Sequence, residues 1–107
     1  MKNRFNKVFT TRKPVIAMVH LGALPGSPLY DIKTGINGLI ENARSDLHAL
    51  QNANVDAVMF GNENDRPYEL TVDTASTSAA AYIIVQLRSE ITVPFGVNML
   101  WDPMATV

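Results

Sequence analysis

The sequence predicts an α/β fold built as a parallel βαβαβ unit, and three observations lead there. Three short apolar runs begin at Pro14, Val55 and Pro94, at intervals of 41 and 39 residues. Stretches with apolar residues at helical spacing separate them. Each run ends in a polar, turn-forming cluster. Strand alternating with helix implies right-handed crossovers and parallel pairing.

The first run spans Pro14–Leu21. Val15, Ile16, Ala17, Met18 and Val19 are continuously apolar, as expected of a parallel strand covered on both faces. Pro14 suits the first position of a strand. His20 closes the run. Gly22 to Gly35 then forms a long connection with Pro25-Gly26 and Ser27-Pro28 turns, and loops of this length are usually functional or disordered. It is not a P-loop, because no Gly-Lys-Ser/Thr follows, and it lacks Gly-x-Gly-x-x-Gly.

Ile36 to about Asn52 reads as an amphipathic helix. Its stripe is Ile36, Leu39, Ile40, Ala43, Leu47 and Leu50. His48 falls off that stripe and reads as a solvated surface histidine. Val55–Phe60 is the second strand and runs into Gly61-Asn62-Glu63-Asn64-Asp65-Arg66-Pro67-Tyr68, the most polar cluster in the chain. Thr71 or Asp73 caps the second helix, which reaches about Glu90. Its expected stripe is Ala75, Ala79, Ala80, Ile83, Ile84 and Leu87. Pro94–Leu100 is the third strand. Asp102-Pro103 is an N-cap followed by proline at the first helical position, so a third helix starts just before Val107.

Length and composition bound the rest. The chain has 107 residues, 47% of them hydrophobic, with a net charge of −1 and no cysteine. This suits one small globular domain. Disulfides and thiolate metal sites are excluded. No apolar run approaches the roughly 18 residues of a membrane span, so no membrane insertion is expected. Residues 1–13 form a basic arm with Lys2, Arg4, Lys7, Arg12 and Lys13. The net charge gives no general attraction to nucleic acid, and none is expected as a partner. Residues 14–107 read as part of a larger (β/α) structure, cut at the start of the third helix. Three strands cannot close a barrel that needs eight. The uncovered face and edges they leave favour self-association.

Pro14–Tyr30 (PVIAMVHLGALPGSPLY), Asp56–Tyr68 (DAVMFGNENDRPY) and Pro94–Val107 (PFGVNMLWDPMATV) resemble the BtpA/SgcQ family. The resemblance implies a cytoplasmic (β/α)8 TIM barrel of the ribulose-phosphate-binding type, well over twice this length. The family's namesake is linked to photosystem I biogenesis, and the SgcQ-like branch is described only as sugar-related. Many members carry Val-Glu-Asn at the end of the second strand, where this chain has Phe60-Gly61-Asn62. The acid here is Glu63, two positions later.

In (β/α)8 barrels the active site lies at the C-terminal strand ends. Those ends carry His20, then Asn62, Glu63, Asn64 and Asp65, then Asn98, Trp101 and Asp102. His20 suits general acid–base work or metal ligation; its structural alternative is a bond to a loop carbonyl. Glu63 suits a base, and His20 with Glu63 forms the expected catalytic pair. Asn62, Asn98, Trp101 and Asp102 are the expected substrate contacts. The Asn98 amide needs a partner, either a ligand or a neighbouring backbone. Asp102 also reads as a plain N-cap, Asp65 as a turn brace, and Trp101 as a packing residue. His20, Glu63 and Asp102 together would form a carboxylate–imidazole set for a divalent ion. Spacing gives that no direct support, so no metal is assigned, and no cofactor is named. A phosphorylated small molecule is the expected ligand of an enzyme. The phosphate site of such barrels follows strands seven and eight, so this chain alone is expected to be inactive. The alternative is a non-enzymatic assembly or stability factor.

Overall fold

Both long helices lie on one side of a three-stranded sheet, and that asymmetry decides which residues are available for function. The computed structural model describes residues 3–107; Lys2 of the basic arm lies outside them. The elements are α1 (Arg4–Val8), β1 (Ile16–His20), α2 (Gly35–Asn52), β2 (Ala57–Gly61), α3 (Thr74–Leu87), a 3-10 turn (Arg88–Glu90), β3 (Phe95–Asn98) and α4 (Pro103–Thr106). The sheet order is β1-β2-β3, and both pairs are parallel. This is the βαβαβ unit expected from the strand spacing. β1 and β3 are a residue or two shorter at each end than the apolar runs, while β2 starts two residues later than its run and extends one residue past it, to Gly61.

The register fixes the two faces. Val19 aligns with Phe60 and Phe60 with Val97. Side chains alternate along a strand, so these three share the helix-covered face. Val19 and Phe60 are fully buried there against Leu47, Ile83 and Leu87. Ile16, Met18 and His20 share the other face with Met59 and Asn98. No helix covers it, and Ile16 remains 47% and Met18 36% exposed. The continuous apolar run of β1 therefore does not lie between two covered faces. Both crossovers pass on the same side, which covers one face only.

Helix α2 buries Leu39, Ile40, Ala43 and Leu47, as its spacing requires. Asn54, at φ 62°, ends it in the left-handed region that asparagine tolerates. His48 is half exposed but not free: its Nε2 lies 2.8 Å from Glu90 Oε1. Asp73 rather than Thr71 caps α3, accepting a bond from the Ser76 amide at 2.6 Å. The α3 stripe departs from expectation at one place: Ala75 is exposed and Ser76 is buried. The Ser76 hydroxyl donates to the Pro25 carbonyl at 2.9 Å, tying α3 to the β1–α2 loop. Asp102 caps α4, as the Asp-Pro pair requires.

Candidate functional site

The last residues of the three strands form a row. His20 aligns with Gly61, and Gly61 with Asn98, on the face without helices. The Leu21 amide donates to the Gly61 carbonyl at 2.9 Å, which holds the first two strand ends together. Gly61 brings no side chain to the row, and Glu63 fills its place. The chain turns back after Gly61 so that the Glu63 carboxylate lies over the Gly61 Cα. A Cβ at position 61 would sit 2.6 Å from Oε2 and 2.7 Å from Oε1.

From there Glu63 Oε2 is 3.8 Å from His20 Nε2. That is a charge pair when the imidazole is protonated, and it is beyond hydrogen-bonding distance. Oε2 is buried and has no hydrogen-bond partner among the described residues. The main chain at Glu63 is held firmly: its carbonyl accepts from Tyr68 Oη at 2.7 Å and from Arg66 Nε at 3.3 Å. The His20 side chain is half exposed. An acid–base group open to solvent thus faces a carboxylate with an unfilled acceptor. This arrangement can exchange a proton with a hydroxyl or ammonium placed between the two.

The other polar residues of the β2 cluster point elsewhere. Asn62 is 2% exposed, and its Oδ1 accepts from the Leu100 amide at 2.7 Å. Its Nδ2 donates to the Leu100 carbonyl at 3.4 Å. Asn64 Nδ2 donates to the Leu21 carbonyl at 2.8 Å. Asp65 Oδ1 accepts from the Leu24 amide at 2.7 Å. Burial pushes the Asp65 carboxyl above its ordinary pKa, against hydrogen bonds from Leu24 and Asn62, with the Asp73 charge adding to the rise. Asp102 Oδ1 accepts from Met104 and Ala105, both at 3.0 Å, and Oδ2 from Val72 at 2.9 Å. The Ala105 and Val72 amides hold its carboxyl below the usual range. These four side chains bind the neighbouring loops into one layer.

Among the residues expected at the site, His20, Glu63 and Asn98 therefore share the open face. Asn62 and Asp102 spend their polar atoms on backbone groups. Trp101 is exposed and packs edge-on against Tyr68, with ring centroids 5.4 Å apart. Among the described residues, no group of three or more His, Asp or Glu side chains converges to hold a metal. Asp102 faces Val72 and α4 and does not complete such a set with His20 and Glu63. Two residues of the site carried no role in the sequence reading, Gly61 and Tyr68. A glycine at the end of an apolar strand is a recognised sign of close approach by another group. Nothing in the spacing marks Tyr68.

These features define an α/β protein with a parallel sheet and its polar groups gathered at the C-terminal strand ends. Within that class, the chain belongs to the BtpA family, whose family model matches residues 11–107. It is 55% identical over 100 residues to the sgc region protein SgcQ of Escherichia coli (strain K12), covering 94% of this chain and 37% of that protein. It is 40% identical over 88 residues to an uncharacterized protein of Pyrococcus horikoshii, covering 82% of this chain and 33% of that protein. The photosystem I biogenesis protein BtpA of Synechocystis sp. (strain PCC 6803) is 34% identical over 95 residues, covering 88% of this chain and 32% of that protein. The chain spans about a third of the length of the curated relatives it matches. No solved structure matches it. Among the described residues, no helix is long and apolar enough to cross a membrane.

Proposed function

We propose that the chain supplies the first three βα units of a (β/α)8 barrel enzyme acting on a small phosphorylated or hydroxylated metabolite. His20 and Glu63 serve as its acid–base pair. One observation carries this reading: the buried, unpartnered Glu63 Oε2 faces an open imidazole at the C-terminal ends of adjacent parallel strands. An unmatched acceptor costs free energy unless a donor fills it, and a ligand hydroxyl is such a donor. In a closed barrel the Ile16, Met18 and Met59 face turns inward, and His20, Glu63 and Asn98 stand at the mouth. The apolar groove beside β3, about 270 Å³ and lined by Ala80, Ile84, Val97 and Ala105, is then covered by the elements that follow. The test is a thermal-shift screen against sugar phosphates on a protein that includes those later strands. A ligand that stabilises it should lose its effect in both His20→Ala and Glu63→Ala. An unchanged response in both variants removes the pair from the reaction.

The open sheet face favours a second reading, an assembly factor of the kind that the Synechocystis relative's name describes. Here Ile16 and Met18 form a contact surface for protein, with copies of the chain as the first occupant. A chain that stays monomeric while its open face is accessible counts against this reading.

A further inference from the structure

We propose that Gly61 is the positioning residue of the His20–Glu63 pair: the missing side chain at position 61 is what lets the Glu63 carboxylate reach His20. His20 and Gly61 are register partners on adjacent strands, so whatever occupies the space over Gly61 stands beside the imidazole. That space belongs, by alternation along β2, to the side chain of residue 61. Glu63 fills it from two residues further on, because the bend after β2 folds its side chain back over the strand end. A Cβ 2.6–2.7 Å from both carboxylate oxygens is incompatible with that placement. The group that would have to yield is the far end of a flexible side chain and not the backbone. The fold therefore tolerates a Cβ at 61, while the carboxylate does not stay. Position 61 and position 63 together supply one carboxylate to one volume.

The inference rests on His20 and Glu63 forming the functional pair, and its test reads geometry directly, so it can fail without that reading failing. The chain has only two histidines, which makes their ring protons simple to assign by NMR. Unaltered protein should show a nuclear Overhauser cross-peak between the His20 ring and the Glu63 γ-methylene. The cross-peak between His48 and Glu90 serves as an internal control, since that pair lies 2.8 Å apart on the far side of the sheet. In Gly61→Ala the His20 contact should be lost while the His48 contact and the melting temperature hold. In Gly61→Glu/Glu63→Ala the relocated carboxylate should restore a contact to His20, now from residue 61. A purely structural glycine would give the opposite pattern, with a lowered melting temperature and no rescue. Persistence of the His20–Glu63 contact in Gly61→Ala overturns the proposal, as does its absence from the unaltered protein. If Gly61→Ala fails to fold, the double variant decides: a restored contact supports the proposal and a missing one overturns it.

Discussion

The carboxylate of Asp65 accepts a hydrogen bond from the buried Leu24 amide at 2.7 Å, across 41 residues of sequence. It joins the polar cluster after β2 to the loop after β1. Leu24 is itself fully buried, so its amide has no water to turn to. Asp65→Ala should cost about 1–3 kcal/mol, the usual penalty for an orphaned buried donor. Denaturant unfolding checks this, and an unchanged midpoint would remove the bond from the stability of the fold.

The same residue has a pH signature. Burial raises the Asp65 pKa, so the folded chain holds this proton to higher pH than the unfolded chain. Its contribution to stability is then greatest below the unfolded value and declines as the pH rises through the folded one. Asp65→Asn keeps an acceptor for Leu24 and removes the ionisation. The variant should gain on the unaltered protein as the pH rises from about 4 to about 7. Melting temperatures of both proteins across that range provide the measurement, and a variant that loses ground to the unaltered protein as the pH rises contradicts the assignment.

Glu90 carries the opposite sign. Its two oxygens accept from Arg44 Nε at 3.0 and 3.1 Å, and His48 lies beside them. The Arg44 hydrogen bond holds the Glu90 carboxyl below its ordinary range, with the Arg44 charge and His48 assisting against desolvation. A depressed carboxyl stabilises the fold above the unfolded pKa and loses that effect as the pH falls through the folded one. Glu90→Gln should therefore melt lower than the unaltered protein at neutral pH, and the difference should close on acidification. The site is partly open to solvent, so added salt should shrink the difference as well. A salt-independent loss would point to packing instead.

Asn62 separates bracing from ligand contact. Its amide is spent on both polar groups of Leu100, at 2.7 and 3.4 Å. Asn62→Ala should destabilise the chain by about 1–3 kcal/mol, because a half-buried backbone donor loses its acceptor. If Asn62 were only a substrate contact, its removal would leave unfolding unchanged. Comparison with Trp101→Ala sharpens the result. Trp101 is 59% exposed and is expected to cost much less.

The order of elements was readable because apolar spacing reports burial. The α2 stripe and the Asp102 cap are where the residues place them. The polar cluster after β2 was readable only as a place. Asn62, Asn64, Asp65 and Asp102 look alike in sequence to groups that face a ligand, yet each is consumed by a backbone partner between 30 and 43 positions away or within its own helix cap. Spacing along a chain does not encode which amide lies across a loop. Ser76 in place of Ala75 is a similar case. The hydroxyl is buried because the Pro25 carbonyl arrives from a distant loop to accept from it. The pairing of His20 with Glu63 depends on the register and on Gly61, neither of which periodicity reveals.

The open face of the sheet gives the last prediction. Ile16, Met18 and Met59 lie together on it, and Met18 is 36% exposed. A lysine at Met18 should leave the fold intact, since long charged side chains lie readily along an apolar surface. It should also block any close apposition of two such faces, because the ammonium would have to be buried without a partner. If copies of the chain cover one another through this face, light scattering after size exclusion should give a mass above that of one chain, and Met18→Lys should return it to the monomer. Far-UV circular dichroism on the same peaks should be unchanged. Should both proteins elute with the mass of a single folded chain, the face is not an interface between copies. Should the variant keep the higher mass, the strand edges of β1 and β3, whose backbone groups are likewise uncovered, become the contact to test.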